Sequence, residues 1–363
     1  MTAIDTSPSL DATGGGTPLV QVENVVKEYP VSGARLLGRG PVVHAVSDVS
    51  LSLSAGRTVG LVGESGCGKS TLGRLVVGLE QPTSGVVRFD GTDVRAGSRE
   101  QRRRARRELQ LMFQDPYASL DPRMKIGSIV GEPLVVQKQG NSAERRSRVE
   151  SLLGEVGLPA SAMRRYPYEF SGGQRQRIGL ARVLALNPQV IVADEPVSAL
   201  DVSVRSQILN LMLDLQAAHR LTYLIISHDL TTLRYMADEV GVMYLGKMVE
   251  WGPSDVLFRE TVHPYTRALI DTIPTPDPVF ERTKQTAPVT GELPSAIDPP
   301  SGCRFRTRCP RAEQVCSEVE PPLRAFGAGH LAACHFPLRE PVAPGLPTFE
   351  SSPVVESSGE APA

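Results

Sequence analysis

The sequence predicts an α/β fold built around a buried parallel sheet, and three observations carry that prediction. At residues 58–71 a short apolar run (Val59, Leu61, Val62) passes into a glycine-rich turn and then into a helical pattern (Leu72, Leu75, Val76, Leu79). A second apolar run, Val190 to Ala193, ends in Asp194-Glu195-Pro196, and a third, Tyr223 to Ile226, ends at Ser227-His228. Short apolar runs bounded by turn residues and separated by helical periodicity read as parallel strands covered on both faces.

The turn after the first strand reads Gly63-x-x-x-x-Gly68-Lys69-Ser70, the complete Walker A pattern, and strand, loop and helix follow in the order it requires. Backbone N–H groups of Gly63, Glu64, Ser65, Gly66, Cys67 and Gly68 and of the helix N-terminus can cradle phosphate oxygens. The glycines let the chain curl tightly enough to do so. Lys69 is expected on the β- and γ-phosphates and Ser70 on Mg²⁺, with Thr71 beside it, which calls for ATP and Mg²⁺ as cofactors. A carboxylate pair just past a buried strand suits the same chemistry: Asp194 holds the metal and Glu195 polarises water.

Bulk properties narrow the remaining classes. The 363 residues suggest two domains, or one large domain with an appendage, and 40% hydrophobic content supplies a sizeable core. A formal net charge of −1 gives no sign of a nucleic-acid partner. Four of the five cysteines fall after residue 300, which is not the pattern of a secreted disulfide protein. No run of 18 apolar residues and no basic-then-apolar leader is present. A cytosolic protein that reaches a membrane only through a partner is the resulting expectation.

The elements follow in order. Residues 1–17 are rich in Thr, Ser, Gly, Asp and Pro and read as a disordered tail. A strand begins at Leu19 and runs to Tyr29, a second covers 42–53, and a loop with Arg35 and Arg39 joins them. Tyr29 is placed to stack on an adenine; a half-buried strand tyrosine is the alternative. Residues 82–91 read as turn, strand, turn. Arg102, Arg103, Arg104, Arg106 and Arg107 form a basic run, expected as a solvated helix face, with contact to acidic lipid or a partner as the alternative. A strand from Leu109 ends at Gln114 and a turn-rich loop, 115–122, follows. Residues 124–165 carry helical periodicity. Ser171-Gly172-Gly173-Gln174-Arg175 opens another helix, with Ser171 as N-cap and its first-turn amides open to an anion. Ser198-Ala199-Leu200-Asp201 precedes a helix expected over 204–219.

Taken together, the Walker A residues 63–71, Gln114, the 171–175 stretch, the Walker B run 190–195, Asp201 and His228 resemble the nucleotide-binding subunit of an ATP-binding-cassette transporter. The resemblance spans about 19–336; Phe170, where that family usually has leucine, is a mild departure. Two stretches are similar to its oligopeptide, dipeptide and nickel importer branch. One is Phe113-Gln114-Asp115-Pro116-Tyr117-Ala118-Ser119-Leu120-Asp121-Pro122-Arg123. The other is His263-Pro264-Tyr265-Thr266-Arg267-Ala268-Leu269 followed by Gly302-Cys303-Arg304-Phe305.

The resemblance implies a P-loop NTPase fold: a RecA-like parallel sheet core, an antiparallel β layer, a helical subdomain at about 115–187 and a small C-terminal accessory region. The implied divisions are a nucleotide-binding domain at 18–254, the importer-type region at 255–340 and an acidic tail at 341–363. Gln114 would touch Mg²⁺ or the attacking water, Glu195 would be the general base and His228 would meet the γ-phosphate. Ser171, Gly172, Gly173, Gln174 and Asp201 belong to the nucleotide contacts, with Ser171, Gly173 and Gln174 acting in trans on ATP held by a second cassette. Implied partners are that second ATPase subunit, expected to be a paralogue, two integral membrane permease subunits and, indirectly, an extracytoplasmic solute-binding protein. No nucleic acid is expected. The implied place is peripheral, on the cytoplasmic face of the cell membrane, and the implied activity is ATP hydrolysis that drives peptide import. Import of nickel or another small solute is the alternative within the branch. A soluble cassette protein and an ATP-binding scaffold without turnover are the alternatives outside it.

Cys303, Cys309, Cys316 and Cys334 are spaced x5, x6 and x17 in a Pro- and Arg-rich segment. Members of this branch carry such a pattern, and the expectation is a [4Fe–4S] cluster on the four thiolates. Arg304, Arg306, Arg308 and Arg311 would offset its charge, and the cofactor would organise a segment short of apolar periodicity. Zinc, which usually shows a closer cysteine pair, and free thiols are the alternatives. Cys67 is expected as a small filler of the phosphate loop.

Overall fold

The structure is a computed structural model that describes residues 18–31, 40–114, 119–273, 291–327 and 329–341. The expected tail at 1–17, residues 342–363 of the expected tail at 341–363, Arg35 and Arg39, and residues 115–118 of the turn-rich loop lie outside the described residues.

Twelve strands among the described residues form two sheets. The smaller has the order β2-β1-β4-β5, with β1 (Val20–Pro30), β2 (Val42–Leu53), β4 (Ser84–Phe89) and β5 (Thr92–Asp93), all antiparallel. The larger has eight strands. Its parallel part runs β9 (Glu239–Tyr244), β3 (Thr58–Val62), β8 (Thr222–Ile226), β7 (Val190–Asp194), β6 (Leu109–Met112). Antiparallel to β9 comes β10 (Lys247–Pro253), then β12 (His330–Ala332) and β11 (Arg324–Gly327). The C-terminal region thus extends the same sheet that carries the Walker strands.

Every residue of β3, β7 and β8 is buried, because the sheet is sandwiched between two apolar cores. Side chains alternate across a strand. Val190, Val192, Leu224 and Ile226 join the core shared with the small sheet, while Ile191, Ala193, Tyr223 and Ile225 join the core shared with the helices. That second core also takes in Leu257, Tyr265 and Phe305.

Helix α1 (Lys69–Val76) follows the glycine loop and ends one turn earlier than the apolar spacing predicts. Gly78, at φ 71°, closes it, and Leu79 is left 61% exposed. The basic run lies on α2 (Arg99–Glu108), capped by a Ser98–Gln101 box. It buries only Ala105, as a solvated face should. The predicted helical stretch resolves into α3 (Ile126–Val136), α4 (Ser142–Glu155) and a 3₁₀ turn, Ala160–Arg164. Next come α5 (Gly172–Leu184), α6 (Val202–His219) and α7 (Leu230–Met236), then α8 (Ser254–Arg259), α9 (Pro264–Asp271) and α10 (Val315–Glu318). Among the described residues no helix is long and apolar enough to cross a membrane.

Candidate functional site

The loop between β3 and α1 holds its shape for steric reasons. Gly63 and Gly68 have φ of 154° and 105°, and a Cβ on either would lie 2.1 Å from the Met243 carbonyl oxygen or 2.0 Å from that of Ala45. Only glycine fits against backbone that close. Lys69 is buried, and its ammonium donates to the carbonyls of Gly63 (2.7 Å) and Glu64 (3.0 Å), with the Cys67 sulfur at 3.6 Å. Burial pushes the Cys67 thiol up, as befits a packed filler. Ser65 and Gly66 form the exposed rim of the loop.

Three strand ends converge beside it. The Ser70 hydroxyl, in the first turn of α1, donates to Asp194 Oδ1 at 3.1 Å, and burial raises the Asp194 carboxyl. Glu195 sits one residue past β7 at φ 49°, held there by a bond from its N–H to the Ile226 carbonyl (2.8 Å). That left-handed turn aims the carboxylate between two other strand ends. Gln114 Nε2, past β6, donates to Glu195 Oε2 at 2.9 Å, and His228 Nδ1, past β8, lies 3.0 Å from Oε1. The structure thus brings together Lys69, Ser70, Gln114, Asp194, Glu195 and His228, residues separated by up to 159 positions.

The remaining predicted residues are placed as follows. Tyr29, on β1, donates its hydroxyl to Glu80, and Lys27 covers its ring with the ammonium 4.7 Å from the centroid; the Thr71 hydroxyl also bonds to it. Ser171 caps α5 in a reciprocal box with Gln174, and both are exposed. Gly172 and Gly173 pack against Leu200 and Val204, where a Cβ on Gly173 would lie 2.4 Å from a Val204 methyl. Asp201 stands exposed at the N-cap position of α6. Phe170, the departure noted in the sequence, is buried with the Arg165 guanidinium 4.3 Å over its ring.

The expected iron–sulfur cluster is corrected by the structure. Among the described residues no group of three or more His, Cys, Asp or Glu side chains is placed to hold a metal ion, which removes the [4Fe–4S] assignment of Cys303, Cys309, Cys316 and Cys334 and the zinc alternative with it. All four are free cysteines. Burial pushes the Cys303 thiol up to about 11 and the Cys334 thiol up to about 12. The physical reason is that the segment needs no cofactor to order it. Phe305 is fully buried in the main core, the Cys303 N–H bonds the Cys316 carbonyl at 2.8 Å, and β12 pairs with β10. Three of the four arginines expected to neutralise a cluster are engaged elsewhere. Arg304 donates to the Leu245 carbonyl and the Ser47 hydroxyl, Arg306 to the Ser301 carbonyl, and Arg308 to Glu64.

Two contacts at the phosphate loop were not legible in the sequence. The Glu64 N–H donates to the Tyr265 hydroxyl (2.9 Å), and the Glu64 carboxylate pairs with Arg308 (2.7 Å). Separations of 201 and 244 residues leave no local pattern to find.

The family model for the ABC transporter matches residues 46–198, and that for the oligopeptide/dipeptide transporter C-terminal region matches 249–316. The oligopeptide transport ATP-binding protein AppF of Bacillus subtilis is 47% identical over 318 residues, 87% of this chain and 97% of its own length. YkfD of the same organism, whose name marks it as a candidate for oligopeptide transport, is 49% identical over 88% of this chain and 95% of its own. Among solved structures, cbiO1 of Clostridium perfringens, part of the cbiONQ transporter complex, superposes with a TM-score of 0.57 at 28% identity, covering 67% of this chain and 91% of that one. The cassette MJ0796, solved as a dimer bound to ADP and Pi, gives 0.56 at 28% identity over 65% and 98%. Near-half identity along almost the whole chain, over a sheet whose strand ends assemble the Walker residues, makes this chain a member of the ABC transporter family of ATP-binding subunits, with the oligopeptide/dipeptide transporter C-terminal region.

Proposed function

We propose that this chain is the ATP-hydrolysing subunit of an importer that moves peptides across a membrane through separate permease subunits. The observation that carries the reading is the complete hydrolytic set at the ends of β6, β7 and β8, on a chain whose C-terminal region matches that of oligopeptide and dipeptide transporters. AppF, matched over almost its whole length, is named an oligopeptide transport ATP-binding protein.

The site residues divide the work. The loop amides of 63–68 and Lys69 bind the phosphates, with Thr71 beside them and Tyr29 against the adenine. The adjacent Ser70 hydroxyl and buried Asp194 carboxylate are hard oxygen donors that fit Mg²⁺, with Gln114 close by. When bound there, the ion neutralises charge that builds on the phosphates. Glu195 accepts the proton of the attacking water, its carboxylate held in direction by Gln114 and His228. Ser171, Gly173 and Gln174 serve ATP held by a second cassette, a role supported by the exposure of Ser171 and Gln174, and Gly172 and Asp201 complete the nucleotide contacts.

This gives a subunit on the cytoplasmic face of a membrane. Its partners are a second ATPase subunit, since one cassette is half of a pair, taken to be a paralogue, two permeases, and through them an extracytoplasmic solute-binding protein. The test is to isolate the intact complex, reconstitute it in vesicles and measure ATP-dependent uptake, with the bound solute identified by mass spectrometry. Uptake of di- or oligopeptides is the expected result. Uptake of nickel or another small solute alone would move the chain to the alternative within the branch, and ATP turnover with no transport would overturn the reading.

A further inference from the structure

Glu64, the first residue after Gly63 in the phosphate loop, is held at each of its polar groups. Its N–H donates to the Tyr265 hydroxyl at 2.9 Å, its carbonyl accepts from Lys69 at 3.0 Å, and its carboxylate accepts from Arg308 at 2.7 Å. Two of those partners come from the C-terminal region, and the third is the lysine of the nucleotide site. We propose that Tyr265 and Arg308 are positioning residues for ATP binding, which act through Glu64 to set the direction of Lys69.

The geometry makes the linkage stiff. The Arg308 side chain is only 8% exposed and lies over the Tyr244 ring, 5.9 Å from its centroid, with its Nη1 3.5 Å from the Tyr244 hydroxyl. Tyr265 is fully buried, with ring centroids of Tyr244 and Phe305 at 4.8 and 5.3 Å. Four residues before Arg308, Arg304 is bound to the Leu245 carbonyl and Ser47. Tyr244 ends β9, the strand beside β3, and Leu245 follows it, so the C-terminal segment is anchored at the end of the strand that flanks the loop. On the other side, Gly63 packs so close to the Met243 carbonyl that an added Cβ would lie 2.1 Å from its oxygen. The Glu64 peptide is therefore held from both sides, and Lys69 takes its aim from the carbonyls of Gly63 and Glu64. Coupling between sites travels through such packed, two-ended contacts.

The proposal rests on Lys69 as a phosphate ligand, and the test separates the two claims. Binding of a fluorescent mant-ATP with Mg²⁺ to the full chain is measured for the native protein, Arg308→Ala, Arg308→Lys, Tyr265→Phe, Glu64→Gln and the Arg308→Ala/Glu64→Gln pair. Tyr265→Phe keeps the ring in its cluster and loses only the hydroxyl, so it serves even where Arg308→Ala fails to fold. Emission of Trp251, the only tryptophan and 3% exposed on β10, monitors folding. The expected result is a Kd raised roughly tenfold by Arg308→Ala and about threefold by Tyr265→Phe, in the range of site-to-site coupling. Arg308→Lys should recover part of the loss, and the double variant should be no weaker than Glu64→Gln alone. A merely structural role would lower melting temperature and leave the Kd of the folded fraction unchanged. Native Kd values in Arg308→Ala and Tyr265→Phe, or full additivity in the double variant, would overturn the proposal. No mant-ATP binding by the native chain would instead overturn the nucleotide reading itself.

Discussion

Glu195→Gln tests the hydrolytic assignment with little disturbance. Both carboxylate oxygens are occupied, one by Gln114 Nε2 at 2.9 Å and one facing His228 Nδ1 at 3.0 Å. A carboxamide keeps one acceptor and gains one donor. With its oxygen toward Gln114 and its NH₂ toward His228, whose Nδ1 accepts when the proton rests on Nε2, no polar group is left unpaired. The left-handed backbone at Glu195 tolerates glutamine as it does glutamate. The variant should therefore fold normally and bind ATP with native affinity, since Lys69 and the loop amides are untouched. What it loses is the proton acceptor, which supplies roughly 10²- to 10⁴-fold in rate, or about 3–5 kcal/mol of barrier. Phosphate release by the intact complex, set beside equilibrium ATP binding by the same sample, separates the two effects. Turnover within a few-fold of native would remove Glu195 from the role of base. A parallel loss of ATP affinity would show that the carboxylate supports the ground state instead.

Three further outcomes follow. In a complex with a distinguishable partner cassette, Ser171→Ala should weaken azido-ATP labelling of the partner and Lys69→Ala that of this chain; loss confined to this chain in both cases would refute the trans assignment. Burial holds the His263 imidazole down at about 4 against an ordinary 6.5. The unfolded chain therefore takes up that proton first as pH falls, and stability should drop between about pH 6.5 and 4 by up to about 3 kcal/mol. His263→Asn keeps an N-cap acceptor for the Tyr265 N–H and should flatten that slope in chemical denaturation; an unchanged slope would place the titration elsewhere. With burial raising the Cys303, Cys309 and Cys334 thiols, alkylation at pH 8 should be far slower in the native protein than in urea, and equal rates read by mass spectrometry would contradict their packing.

The parallel core was legible because β3, β7 and β8 are buried on both faces and so are written as unbroken apolar runs, each closed by a residue type suited to phosphate chemistry. Their helices are bounded by short-range signals such as the Ser171–Gln174 box, which a four-residue window contains. Leu79 misled the periodicity because a left-handed glycine ends α1 before reaching it. The cysteine segment was misread for a deeper reason. Its order comes from Phe305 and two arginines, Arg304 and Arg308, docking onto residues that lie far away in the chain, and contacts of that kind leave no periodic trace. Spacing alone counted four thiols without placing them.

The extension of the large sheet by β12 and β11 bears on how the subunit can be cut down. The outermost strands are now β11 and β6, four residues each, too short to template a neighbouring chain. β10, behind β11 and β12, is seven residues long and buried through its middle, Met248 to Gly252. A version trimmed at the end of the cassette would leave β10 as a bare margin, its backbone donors unmet and Trp251 uncovered where Leu331 had paired with it. Such a fragment should self-associate edge to edge, so insolubility of a truncated protein would report a lost hem and not a failed fold.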